Sequence, residues 1–550
     1  MNQKNYSGFV CCLLITAIAF AQSNDKNNPS LHINISGPDQ QALNTAANNN
    51  RDWLYASHDY SGQRYVDIKQ VNTKNVKNLR PIGMYQAGDI RAFHTSPLVY
   101  NGVMYFTTRF DAIAIDARTI KLLWRQTWNP NRDFNIYAQA NRGMALKDGK
   151  LIWGTSDGQL MALDAANGSI IWKQQFKDSS GKNHILNMPP LIFEDLVIMG
   201  IAGSEGGIQG WIGAFRLDNG EQVWKFRVVP KSGEPAAETW GNTDALIKPG
   251  GAVWVPTTLD PDAGLLYVGT ANPVPAFDGR SRPGDNLYTN CLVVLNIRTG
   301  DLVWYKQLVA HDELDRGVTS AGPLFTTLIN GDLKKMVATA GKDGVVRVMD
   351  RSTKEMIYQT PVTTMLNATA SPSQEGTRVC PGILGGVQWN GLSFNPKTNM
   401  LYAPAVDWCT TFKQGSDEES QMAPHMRKSN LGGAFKLDTV INARGWLTAI
   451  DASNGNIKWQ YASNSPMVAA ATTTSGGLVL TGDVAGDFLV FDAVSGKVLY
   501  RFNTGGAMSG GIVTYLIDNK QYIAITTGGM TPFWQRPGGS STIIFFALPD

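Results

Sequence analysis

Charge is scarce in this 550-residue chain. Asp, Glu, Lys and Arg make up 17% of it, and the net charge is +3. That is below the usual quarter for soluble domains. No basic block stands out, so a nucleic-acid partner is not expected. Past the N-terminus no segment holds 18 uninterrupted apolar residues, which argues against an integral membrane span in the mature chain. No long stretch keeps a 3.6-residue apolar period, which argues against a helical fold. There is no CxxCH, so no covalent c-type haem is expected. Cysteine occurs five times. Cys11 and Cys12 lie in a short N-terminal apolar run, leaving Cys291, Cys380 and Cys409. Cys291 sits inside the apolar "CLVVLN" and reads as a buried free thiol; Cys380 with Cys409 is the favoured disulfide pair.

The N-terminal run, Phe9 to Phe20, follows a Lys and ends at the small residues Ala19 and Ala21. It reads as a secretory signal over 1–21, with an uncleaved anchor as the alternative. A periplasmic location follows from the signal reading. Residues 22–50 are polar and Asn-rich and read as a flexible leader. Residues 51–550 read as one domain.

Glycine is what the chain has in quantity, 56 residues. Much of it falls in one repeat: an apolar strand end, Asp-like, three variable residues, Gly, three residues, Trp. Copies end at Trp124, Trp172, Trp224 and Trp304, then at Tyr358, Trp459 and Tyr500. Most are spaced by roughly 40 to 55 residues, the period of a propeller blade. In each copy the Asp-x-x-x-Gly stretch makes a tight turn, because Asp bonds local backbone and Gly accepts positive φ. The Trp on the next strand is placed to pack between blades. The long gap between Tyr358 and Trp459 holds "LSFNPKTNMLYAPAV", a degenerate eighth blade. The fold class is therefore all-β, an eight-bladed β-propeller. The last strand, "STIIFFALP", is expected to close the ring with the early "DWLYASHDY".

The stretch "VAHDELDRGVTS" concentrates charge after an ordinary strand, which suits either a solvated turn or a metal and proton-transfer site. Other phrases decide between them. "DWLYASHDYSGQRYVDIKQVNTKNVKNLRP", "SPLVYNGVMYFTT", "PGDNLY" and "SFNPKTNMLY" together resemble pyrroloquinoline-quinone (PQQ)-dependent alcohol and methanol dehydrogenases, from about Asp52 onward. The resemblance implies PQQ and a divalent cation on the propeller axis. It implies hydride transfer from an alcohol and a periplasmic electron acceptor such as a cytochrome c, or a quinone.

Residue by residue, the resemblance makes Glu205, Asn272 and Asp315 the cation ligands, oxygen donors suited to a hard ion. It makes Asp315 the catalytic base. Arg142 matches the arginine that pairs with a cofactor carboxylate. Trp240 in "ETWGN" matches the indole beneath the ring system, and Lys342 the cation near the quinone oxygens. Asn187, Gln388 and Trp389 fall at further cofactor contacts. Each has an ordinary reading too: Glu205 a turn acid, Asn272 a turn residue before Pro273, Trp240 packing, Lys342 a turn cation. His311 has no metal-ligand partner spaced near it; Asp312 and Glu313 read as turn and surface groups. Lanthanide-using members carry a second Asp two positions past the base. That position is Gly317 here, which points to Ca²⁺. The Cys380–Cys409 spacing also resembles a methanol dehydrogenase disulfide.

The chain departs from the pattern in several places. Ile136 and Tyr137 replace a vicinal cysteine pair, His94 a glutamate, Asn187 a threonine and Gln388 an asparagine. Val468 stands where a tryptophan narrows the methanol dehydrogenase cavity, which favours a larger alcohol. Two other readings stay open: a non-catalytic propeller scaffold of the outer-membrane-assembly type, and a dehydrogenase of the same cofactor class acting on a sugar or polyol.

Overall fold

The computed structural model describes residues 36–128, 140–418, 430–535 and 539–549. These build an eight-bladed propeller of antiparallel sheets. Blades one to four span 98–127, 145–175, 191–227 and 258–307; blades five to eight span 318–361, 393–463, 472–503 and 512–547. Within a blade, the inner three strands are almost wholly buried. In blade one Asp111–Asp116 is buried at every position, whereas the outer Leu122–Thr127 buries Trp124 and exposes Leu122, Leu123 and Arg125. That gradient explains the sequence: short apolar runs inside, alternation with one aromatic outside.

The aromatic joins neighbouring blades. Trp124 Nε1 donates to Ala165 O, Trp172 to Leu217 O, Trp224 to Ile297 O and Trp459 to Ala493 O, each on the following blade. Tyr358 OH does the same to Ala452 O. The turn glycine is the seat of the ring. At Gly168 (φ 76°) an added Cβ would lie 2.5 Å from Trp124 Cε3, so this position needs both positive φ and an absent side chain. Tyr515 OH on blade eight donates to Ala117 O on blade one, which completes the circle.

The ring closes differently from the sequence expectation. Thr542–Ala547 pairs with Arg80–Gln86, not with "DWLYASHDY". The earlier segment runs across the inner strands instead. Trp53 bridges Val99, Leu259 N donates to Tyr60 O, Leu324 N to Ser61 O and Phe394 N to Gln63 O. Tyr65 and Val66 then pair in parallel with Thr473 and Thr474. Its backbone groups thus satisfy inner strands of five blades, a task an outer strand cannot perform. Residues 36–50 also differ from a loose leader. Asp39 caps the helix Gln40–Asn44, and Leu43 and Ala46 are buried in the core.

On either side of the disulfide cysteines, the long gap between Tyr358 and Trp459 holds more than a degenerate blade. Thr377–Val379, Thr410–Gln414 and Gly433–Leu437 form a separate three-stranded sheet inserted beside blade six. Cys380 and Cys409 are bonded, and Cys291 is a buried free thiol whose pKa burial pushes well up. Among the described residues no helix is long and apolar enough to cross a membrane. The proposed signal and the Ile136–Tyr137 pair lie outside the described residues.

Candidate active site

Antiparallel blades put the start of the first strand and the end of the second at the same end of the ring. The site uses both positions. His94, Arg142, Asn187, Trp254, Asp315, Gln388 and Trp389 stand three to five residues ahead of their blade's first strand. Glu205, Asn272 and Lys342 stand one to five residues past a strand that follows it. All ten line one cavity on the axis.

Asp315 is buried and has φ 59°, an uncommon backbone state for a non-glycine residue. The turn that holds it is organised by Asp312, which is buried rather than a surface group. Asp312 Oδ1 accepts from Leu314 N, and Oδ2 from Arg316 N and Asn290 Nδ2. Glu313 accepts from Gly279 N, and His311 Nδ1 bonds Gly284 O away from the cavity. The charge of "HDELDRG" is thus mostly the scaffold of one aspartate. Asp315 Oδ2 accepts from Lys342 Nζ at 2.5 Å. Burial pushes its pKa up to about 7; Lys342 opposes the rise and Glu205 adds to it.

Glu205 sits on the short 3₁₀ turn Ser204–Gly206, and its carbonyl accepts from Asn430 Nδ2. Asn272 Nδ2 donates to Pro273 O, which leaves Oδ1 as its free acceptor end. Among the described residues no three His, Cys, Asp or Glu side chains cluster as a metal site. A hard cation here would take two carboxylates and the Asn272 amide, a donor set that suits it.

The cavity wall also holds unspent polar atoms. Arg142 is buried, and its Nε and Nη1 have no hydrogen-bond partner among the described residues. Burial pulls its pKa down to about 9, still a cation at neutral pH. Asn187 Oδ1 and both ring nitrogens of His94 are likewise unpartnered. Burial, then Arg142, hold His94 neutral. Its ring stacks on Trp389 at 4.1 Å and 18°. Arg142 Cζ lies 4.6 Å from the Trp254 ring centre and 5.5 Å from that of Trp389. A buried cation without a counter-charge is costly, so this wall is built for a flat, anionic guest. The residues fit PQQ.

Two sequence expectations fail here. Trp240 is fully buried, donates to Leu287 O, and is not part of the cavity wall. Trp254 takes its place. The signal for Trp254 was its offset: it stands four residues before Thr258, as Trp389 stands four before Ser393, whereas Trp240 stands eighteen before. Val468 does not line the cavity either; it packs in an apolar cluster with Trp389, Trp408 and Trp534. Gln388 does line it, although its amide donates to Leu384 O and Gly385 O.

Comparison with known proteins agrees with this geometry. Residues 53–369 and 360–523 match the family model for PQQ glucose/ethanol/alcohol dehydrogenase, beta-propeller domain. The dehydrogenase subunit of alcohol dehydrogenase (quinone) from Gluconacetobacter polyoxogenes is 30% identical over 96% of this chain and 77% of its own. Quinoprotein alcohol dehydrogenase PedH from Pseudomonas putida is 30% identical over 86% of each. The crystal structure of quinohemoprotein alcohol dehydrogenase from Comamonas testosteroni superposes with a TM-score of 0.83 at 26% identity, covering 94% of this chain and 83% of that one. The chain belongs to the PQQ-dependent alcohol dehydrogenase family and is an oxidoreductase acting on the CH–OH group of alcohols.

Proposed function

We propose that the enzyme works in the periplasm on an apolar alcohol larger than methanol, with PQQ and Ca²⁺ in the axial cavity, and passes electrons to a cytochrome c or a quinone. The observation that carries this is the convergence of Glu205, Asn272 and Asp315 on one cavity with the unpartnered Arg142. When bound there, PQQ supplies a two-electron acceptor for hydride and Ca²⁺ polarises the reacting carbonyl.

The chain's own residues do the rest. Arg142, Asn187, Gln388 and His94 offer hydrogen bonds to the quinone, and Trp254 and Trp389 offer flat apolar walls. Asp315 accepts the alcohol proton as the general base. Lys342 holds that carboxylate in place and keeps positive charge beside it. Ca²⁺ is favoured over a lanthanide because Gly317 adds no third carboxylate. A Cβ at Gly317 would lie 3.2 Å from Ala271 Cα, a tight fit for a larger side chain.

The preference for an apolar substrate rests on the remaining wall: Ile383, Leu384, Phe435, Leu437, Phe533 and Trp534. Two of these come from the inserted three-stranded sheet. With Thr531 the one hydroxyl beside these side chains, such a wall gives a sugar's hydroxyls few partners, and desolvating them is unfavourable. The export reading of the N-terminus supports the periplasm. The decisive experiment loads the purified chain with PQQ and either CaCl₂ or LaCl₃ and follows dye reduction with a panel of alcohols. Branched and aromatic alcohols with Ca²⁺ should lead. A quinone-loaded protein that prefers polyols would overturn the substrate assignment, and one that reduces no dye with any alcohol would overturn the mechanism.

A further inference from the structure

A second, smaller cavity lies on the axis behind Trp389, which lines both. Its walls come from the inner ends of blades four, five and six: Thr258, Ser320, Gly322 and Asn390 among them. Its floor is the segment that crosses the inner strands, through Ser57, Gly62 and Arg64. No carboxylate lines it.

Arg64 is the unusual member. It is 1% exposed, and its backbone is locked at φ 52°, with N–H donating to Ser57 O and C=O accepting from Thr473 N. Nε donates to Asn390 O at 3.2 Å. Nη1 is buried and has no partner among the described residues. No acidic residue is among the groups that act on its charge, and Tyr55, whose hydroxyl is committed to Thr257 O, is the one that does. Burial lowers its pKa only to about 10, so it stays protonated at neutral pH. A guanidinium enclosed in protein without a counter-charge is strongly unfavourable. The nearby Thr258 and Ser320 hydroxyls, which donate to Ala321 O and Gly322 O, are neutral and supply no counter-charge.

We propose that this cavity is an anion site, in which Arg64 Nη1 holds a compact monovalent anion of the halide class, with chloride the physiological occupant. The cavity is too small for phosphate or a carboxylic acid. The ion adds a charged link at Arg64 to the backbone bonds that already join this segment to the inner strands of blades four to six. It serves folding, not the chemistry on the other side of Trp389.

The test uses the full chain loaded with PQQ and Ca²⁺. Crystals grown with NaBr should show an anomalous peak on the axis in contact with Arg64 Nη1. In solution, chloride or bromide should raise the melting temperature by about 3 °C over sodium gluconate at equal ionic strength, saturating with concentration. Arg64→Met should lose that difference. A cavity holding only water in the bromide crystals, or a melting temperature that follows ionic strength alone, overturns the proposal. Because the crystal experiment needs only the unmodified enzyme, a variant that fails to fold leaves the answer intact.

Discussion

Aspartate does opposite work at the rim and at the axis. Asp451, in a rim turn, accepts from Ser453 N and Oγ at 3.0 and 2.5 Å and lies 3.1 Å from Lys458 Nζ. Burial alone would raise its pKa, but these partners outweigh it and hold it low. Asp315, at the axis, has one partner, Lys342, beside a second carboxylate, and its pKa is high. The rim spends its polar groups on its own turns. The axis leaves them unspent, and that is where a ligand is bound.

Four experiments sharpen this contrast, beginning with the largest effect. Asp315→Asn should cut kcat by about 10³-fold. Quinone binding, followed by absorbance, should survive; retained turnover removes Asp315 from the base role. At the rim, Trp224→Ala should cost about 3–5 kcal/mol in urea unfolding, while the protein that remains folded keeps its kcat. A large loss of kcat there would mean that rim and axis are coupled.

Replacing both Cys380 and Cys409 by Ser should cost about 2–4 kcal/mol. It should also raise KM for bulky alcohols more than for ethanol, since the bond borders the sheet that supplies Phe435 and Leu437. An equal change in both KM values would detach the inserted sheet from specificity. The smallest effect is on pH. In cation-free protein Asp315 titrates near 7 and its protonated form predominates below that. A cation needs the carboxylate, so Ca²⁺ affinity should fall by up to about tenfold per pH unit below 7 and level off above it. Calorimetric titration at pH 5.5, 6.5 and 8 checks the sign.

Some of this was legible beforehand for a local reason. The Asp-x-x-x-Gly turn and its Trp lie within eleven residues of one another, so their geometry is written in neighbouring letters. The blade count and the docking aromatics followed; the Cys380–Cys409 pair came instead from the few cysteines of an exported chain and from the family resemblance. Glu205, Asn272, Asp315, Arg142, Asn187, Lys342, Gln388 and Trp389 do share one cavity. Trp240 was misplaced because resemblance aligns letters, whereas its offset from the inner strand is far longer than that of the cavity residues; Val468 has the right offset but packs into an apolar cluster with Trp389 and Trp534 instead. The seventeen residues between Trp240 and Thr258 give ample room to place the wrong tryptophan.

By itself, then, the amino-acid order determined the repeat, and through it a ring whose blades each bring a few residues to a common end. Turn chemistry and apolar alternation act over short distances and need no partner to be read. Only the tertiary structure decided which strand closes the ring, which tryptophan faces the guest, and that Arg64 lies enclosed without a counter-charge. Those outcomes depend on which side chains meet across hundreds of residues and on how completely water is excluded where they meet.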